Sequence, residues 1–410
     1  MDIEIRPVEP DDWPAMVRVA VIAFGEELDA EKTADEQALF EFERGMAAFD
    51  GDRMVGTGGA YSLELTLPGG VQVPAGGLTW ISVLPTHRRR GILRAIMRRH
   101  FEDVQARGEA ISVLGASESL IYGRFGYGIA CMETELEIDP RRAAFAAPVP
   151  TPTGRVRIVD AAEARTVLPQ VFDRGRRAWP GQVSRNGRWW DHALRDPESR
   201  RRGRSRRVDV VHEPAPGRVD GYVSYRIKER WTAGLPDNRV EVQELVALTT
   251  EAAAALWGYC TSMDLVSAVR LLKRPVDDPV RWLLADPRRL RTLELVDGLW
   301  VRLLDLPAAL AARRYAAEGR LVLEVTDGLQ PANEGRFALE AGPDGASCRP
   351  TAADPDLVLD VAELGAAFLG GVRFATLARA GRVLEGRPGG LRRADAMFAS
   401  DPAPWCSTGF

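Results

Sequence analysis

"VLPTHRRRGILRAIMRRHF", residues 83–101, decides how this sequence reads. A β-like run meets Pro85, three arginines stand side by side at Arg88, Arg89 and Arg90, and Gly91 opens an amphipathic stretch. Beyond the glycine, apolar residues recur at Leu93, Ile96, Met97, Phe101 and Val104, the spacing of a helix with one buried face. A helix N-terminus is already partly positive and disfavours cations. Either the arginines point into water, or a strongly charged anion is shared among them. A strand that ends at a glycine turn and runs into a helix suits a pyrophosphate. The glycine lets the backbone approach closely, and the free amides of the first helical turn point at the anion. Arginines add charge and forked donors. Short Gly/Arg motifs also match by chance, so on these residues alone both readings stand.

Working outward, the first 140 residues alternate strand and helix signals. "DIEIRP" reads as an edge strand, and Pro14 suits the first turn of a helix after Asp11 and Asp12. "RMVGTGGAYSLELTLPGGVQVPAGGLTWISVLP" reads as antiparallel strands broken by Gly and Pro turns. Gly108 stops the helix, "AISVLGAS" is a further strand, and a short helix follows around Ser119 to Arg124. The segment Ala146 to Arg155, "AAPVPTPTGR", reads as a linker. The next stretch repeats the theme: "GYVSYRIK" and "NRVEVQELVAL" are strands and "TTEAAAALWGYC" a helix. This is a weak internal duplication whose second copy lacks the Arg-Arg-Arg-Gly step. From about Leu306, "LPAALAARRYAAEG" reads as an Ala-rich helix running from Pro307 to Gly319. Strands "LVLEV", "RFALEA" and "LVLDV" and helices "ELGAAFLGG" and "LRRADAMFAS" complete a third, small domain. The fold class is mixed α/β (α+β), divided at residues 1–148, 149–295 and 296–410.

Composition narrows the function. The net charge of −4 over 410 residues makes the whole molecule no nucleic-acid or membrane magnet. The most basic run, Ser199 to Val208, reads better as a solvated loop than as a nucleic-acid arm, having no base-stacking aromatics. Cys131, Cys260, Cys348 and Cys406 are scattered, as are His87, His100, His192 and His212, so no metal site is expected. The N-terminus lacks the pattern of a signal peptide, and no run of eighteen apolar residues occurs. The expectation is a cytoplasmic protein with no nucleic-acid or membrane partner.

Position adds to the motif. Arg88-Arg89-Arg90-Gly91-Ile92-Leu93 resembles the phosphate-binding motif of the GNAT acetyltransferases, departing from it at Leu93, where the family carries Gly or Ala. Tyr122, four residues ahead of Gly126-Tyr127, resembles the tyrosine those enzymes carry after the next strand. "PTHRRRGILRA", "SESLIYGRFGYG", "DGLWVRLLDLPAALAAR" and the terminal "ASDPAP…F" resemble the Eis (enhanced intracellular survival) acetyltransferases across essentially the whole chain. The resemblance implies tandem GNAT domains, the N-terminal one active and the central one degenerate. It also implies a C-terminal sterol-carrier-protein-like domain, acetyl-CoA as co-substrate and a homo-hexamer.

It further implies a set of site residues. The backbone around Val83, Arg88, Arg89, Gly91, Ile92 and Leu93 would hold the pyrophosphate, Ile81 and Val83 would pair with the pantetheine arm, and Ser117 would donate to CoA unless it is a plain helix cap. Tyr122 would be the general acid, a phenol near pKa 10 serving a thiolate whose thiol lies near 8.5. No histidine or glutamate presents itself as the base, and in the family the carboxylate of the last residue, here Phe410, serves. Phe24, Glu26 and Trp80 would form the acceptor pocket, with Glu26 where relatives can carry Asp. Gly409 stands where related tails often carry an acid, one negative charge fewer for a polycationic acceptor. The function implied is acetyl transfer to small-molecule amines such as aminoglycosides. The alternatives are transfer to lysine side chains, or a non-catalytic GNAT relic that binds lipids or small molecules.

Overall fold

The computed structural model describes residues 3–146 and 154–410, so most of the linker read at Ala146 to Arg155 lies outside the described residues. The chain forms two compact units. The first gathers residues 1–131, 298–404 and 408–410; the second gathers 132–297 and 405–407.

In the first unit a seven-stranded sheet runs in the order Ile3–Pro7, Met46–Asp50, Arg53–Thr66, Gln72–Val83, Ile111–Gly115, Leu299–Leu303, Gly128–Ile129. The first four strands are antiparallel, and "DIEIRP" supplies the edge. Gln72–Val83 and Ile111–Gly115 are parallel, and the helix Ile92–Ala106 crosses between them. It buries Ile96, Met97, Phe101 and Val104 as the spacing predicts, but at its start the buried residue is Ile92 and Leu93 is only half-buried, and Gly108 follows its end at φ 74°. A separate five-stranded sheet in this unit carries the helices Val361–Ala367, Phe374–Arg379 and Gly390–Phe398.

The second unit holds its own seven-stranded sheet, ordered Leu290–Asp297, Met132–Ile138, Val266–Pro275, Asn238–Ala247, Gly221–Lys228, Val208–Glu213, Arg155–Val159. The helix Thr250–Thr261 links the parallel pair Asn238–Ala247 and Val266–Pro275. Trp189 and Trp190 are buried here, Trp190 against Phe172 at 5.4 Å. The basic run is ion-paired within this unit: Arg204 with Glu241, Arg207 with Asp209 and Arg201 with Asp196. Trp405 anchors the tail segment on this unit, its indole donating to Lys273 O at 2.7 Å.

Two features depart from the sequence reading. The sheets divide the chain at Cys131 and Gly298 rather than at 148 and 295, because Met132–Ile138 pairs in the second sheet and Leu299–Leu303 in the first. At the crossing the Gly298 N–H donates to Cys131 O at 3.0 Å. The Ala-rich helix is only Leu306–Ala312. Arg313 turns extended, and its guanidinium is fully buried, donating to Phe398 O at 3.1 Å and lying 4.5 Å over the Tyr315 ring. Burial of that pair overrides alanine's helix propensity. Among the described residues no helix is long and apolar enough to cross a membrane, and no group of His, Cys, Asp or Glu side chains could hold a metal.

Candidate active site

The site begins where two parallel strands part. Gln72–Val83 and Ile111–Gly115 pair only at Gly76↔Ser112 and Gly77↔Val113. Beyond Gly77 the strands separate, which leaves the backbone of residues 80–83 at the edge of a cleft. A bulge opposite Thr57 and Gly59 helps to drive them apart: the register slips there and Trp80 takes φ 57°. That left-handed conformation is rare for an aromatic residue and must be over-determined by its surroundings. Trp80 packs on Trp13 at 4.7 Å, and its carbonyl accepts from Thr57 Oγ1 at 2.7 Å. The fork itself is pinned by a buried polar cluster. Ser112 Oγ donates to Gly76 O at 3.0 Å and lies 2.7 Å from both His100 Nε2 and the Tyr127 hydroxyl. Burial pushes His100 down to about 3, so the imidazole stays neutral in this cluster.

Below the fork lies the Arg-Gly turn. Arg88 is extended, and its Nη2 reaches Ala23 O at 3.4 Å. Arg89 takes φ 63° and Gly91, the residue preceding the helix Ile92–Ala106, takes φ 82°. No side chain caps this helix, and a methyl group added at Gly91 would meet nothing within 4 Å. The first-turn amides of a fifteen-residue helix therefore face open space, with the donors and dipole an anion needs. Arg88 and Arg89 flank them, whereas Arg90 is directed toward Asp50 at 4.0 Å.

Two cavities meet at this point. The larger, about 1440 Å³, is lined by Ile81, Val83, Arg88, Arg89, Gly91, Ile92 and Leu93 and extends to the C-terminal segment at Asp327 and Arg382. The smaller, about 280 Å³, is lined by Glu26, Glu27, Asp29, Lys32, Glu36, Trp80 and Phe410. Four carboxylate side chains against one ammonium make it acidic. Phe24, Ile81, Ser117 and Tyr122 line both. Every site residue singled out from the sequence thus lines one cavity or the other.

Tyr122 ends the short helix Ser119–Tyr122 and is buried, its ring 6.1 Å from Tyr127. Burial first, and then the Glu118 carboxylate, pushes its phenol up to about 12. It is therefore a protonated donor at any physiological pH. Ser117 is not the cap of this helix; Glu118 occupies that position. Phe410 lies against the fork, its ring edge 3.3 Å from where a Gly77 side chain would begin. Sequence reasoning missed Glu27, Asp29, Lys32 and Glu36. The signal was the acid-rich stretch "GEELDAEKTADE" directly after Phe24, which carries no motif of its own.

Known proteins bear on this geometry. A family model described as an acetyltransferase (GNAT) domain matches residues 4–130, a second GNAT-domain model matches 181–303, and a sterol carrier protein domain model matches 306–407. The chain is a GNAT N-acetyltransferase with two such domains in tandem and a sterol-carrier-like domain behind them. An uncharacterized N-acetyltransferase of Streptomyces avermitilis is 42% identical over the full length of both chains. The N-acetyltransferase Eis of Mycobacterium tuberculosis is 37% identical over 98% of each. The crystal structure of Eis1 from Mycobacterium abscessus superposes with a TM-score of 0.88 at 37% identity, covering all of both chains. The chain belongs to the Eis family of N-acetyltransferases.

Proposed function

We propose that the protein transfers the acetyl group of acetyl-CoA to amines that carry several positive charges, aminoglycosides among them. One observation carries this reading: a cavity built on helix amides and arginines meets an acidic cavity, and Tyr122 stands in the wall they share. In it, the amides after Gly91 and the Arg88 and Arg89 side chains bind the pyrophosphate. Strand backbone at Ile81 and Val83 pairs with the pantetheine arm, which brings the thioester up to the fork. Ser117, lining both cavities, donates to the cofactor near the same point.

The acceptor enters from the acidic side. Glu26 and its neighbours hold ammonium groups, while Phe24 and Trp80 supply apolar walls. The family likeness gives the α-carboxylate of the last residue a part here, and the presence of Phe410 in this cavity supports that. A carboxylate near 3.5 is too weak to deprotonate an ammonium fully. Its work is to hold the amine in line and pass the proton to water. The free amine then attacks the carbonyl carbon, a C–N bond forms, the C–S bond breaks and the thiolate leaves. Tyr122 donates to that sulfur. With the phenol at about 12 and a thiol near 8.5, complete transfer even to the free thiolate would be uphill by about 5 kcal/mol. Tyr122 therefore acts as a hydrogen-bond donor that stabilises the charge building on sulfur, and the released thiolate takes its proton from water.

Self-association, as a hexamer, belongs to the same proposal. The edge strand Leu290–Asp297, which exposes Leu293, Leu295 and Val296, supports it. The test is acetyl-CoA-dependent thiol release with an untagged C-terminus, against aminoglycosides, polyamines and lysine peptides. Release with a multi-amine, and its acetylation seen by mass, is expected. Release with lysine peptides alone would redirect the acceptor, and no acetyl-CoA binding would overturn the reading.

A further inference from the structure

The acidic cavity already contains a cation of this chain. The sequence has three lysines, Lys32, Lys228 and Lys273, among 54 basic residues, and Lys32 lines the cavity that holds Glu26, Trp80, Tyr122 and Phe410. Its Nζ lies 2.6 Å from Glu26 Oε2 and 3.9 Å from Glu36 Oε1. Local structure dictates this. Asp29 caps the helix Ala30–Leu39 by accepting from the Lys32 backbone N–H at 2.9 Å, which fixes Lys32 in the first turn with Glu36 one turn further on the same face. A cation in a first turn opposes the helix dipole, so the carboxylates, not the helix, favour it there. The Lys32 and Glu26 side chains are 44% and 51% exposed, so solvent screens the pair and the lysine can swing away at small cost.

We propose that Lys32 is a resident competitor for the acceptor's ammonium group, and that an acceptor binds by displacing it from Glu26. This rests on the reading of the acidic cavity as the amine site. Acceptor and lysine present the same group to the same carboxylate, and two cations on one carboxylate repel, so each weakens the other's hold on it. A monoamine gains one ion pair and breaks one. A multi-amine gains further contacts with Glu27, Asp29 and Glu36 after the exchange, so Lys32 sets a preference for acceptors with several charges.

The test is steady-state kinetics of full-length Lys32→Gln and Lys32→Arg, with kanamycin and the triamine spermidine as acceptors. Lys32→Gln is expected to lower acceptor KM by roughly two- to fivefold, the weight of an exposed ion pair, with kcat and the acetyl-CoA KM unchanged. Lys32→Arg keeps the pair and should keep the wild-type KM. An unchanged or raised KM in Lys32→Gln would overturn the proposal. So would a lowered melting temperature with no change in KM, which would make the pair merely structural. A wild type that binds acetyl-CoA but turns over neither amine overturns the reading of the cavity, and this inference falls with it. A wild type that is active, with KM indifferent to Lys32, removes the inference alone.

Discussion

The two GNAT domains make the same junction in opposite ways. In the first, a parallel strand ends and the helix Ile92–Ala106 begins at Gly91, in the left-handed region, with no side chain over its first amides. In the second, the helix Thr250–Thr261 begins at Thr249, whose backbone is extended and whose hydroxyl accepts from Ala252 N–H at 3.1 Å. The sheets differ in step. The first parallel pair holds two residue pairs before parting, whereas the second holds five, from Asn238↔Val266 to Val242↔Leu271. An orphan amide at a helix start must find a partner. The second domain finds it within the chain and closes. The first leaves it open beside the parting strands, which is where the proposed function puts the cofactor's pyrophosphate. Both units carry a bulge in the strand before the helix, so what separates an open helix start from a closed one is the residue there, Gly91 or Thr249.

The contrast can be broken in several places. The largest effect is expected from Tyr122→Phe, since the second domain has no counterpart to this motif tyrosine. Turnover should fall by about 10²-fold or more while the acetyl-CoA Kd holds, measured by thiol release beside calorimetry. Because the Tyr122 phenol sits at about 12, its protonated form persists below that pH, so wild-type kcat should show no alkaline fall through pH 10. A fall there would mean that a less perturbed acid does the work. Next comes the tail: one glycine added after Phe410 moves the terminal carboxylate one residue beyond the place the proposed function gives it. A charged hydrogen bond contributes roughly 1.5–3 kcal/mol, so kcat should fall by about 10- to 100-fold, and equal rates would remove the carboxylate from the mechanism.

Gly91→Thr copies the second junction into the first. Forcing a β-branched residue to φ 82° costs roughly 1–2 kcal/mol, and its hydroxyl competes for the amides, so acetyl-CoA affinity should drop by about 5- to 30-fold. Smallest is Thr249→Ala, which removes a cap and nothing else. It should cost about 1 kcal/mol in denaturant unfolding and leave the activity of the folded enzyme unchanged. A loss of acetyl-CoA binding would mean that the second junction is also a site.

Much of this contrast is legible in the chain. Arg88 to Gly91 and Tyr122 are contiguous motifs, and local chemistry carries their meaning. The missing Arg-Gly step in the second copy is equally visible, whereas the Thr249 cap that closes its helix start is seen only in the structure. The acidic cavity is harder to see. It brings the segment after Phe24 against Trp80, Tyr122 and Phe410, residues far apart in sequence, and an acid-rich stretch reads the same whether it faces solvent or a pocket. The exchange of Met132–Ile138 and Leu299–Leu303 between sheets is invisible for another reason: alternation specifies which face of a strand is buried, not which neighbour it pairs with. The Ala-rich stretch at Leu306 reads as a longer helix than the one it forms, because propensity gives no warning that Arg313 and Tyr315 are needed in a core.

The most direct test is a calorimetric titration of acetyl-CoA into the wild type, Gly91→Thr and Thr249→Gly. The account predicts one site per chain in the wild type, weakened by Gly91→Thr and untouched by Thr249→Gly. Two sites in the wild type, or binding indifferent to Gly91, would contradict it.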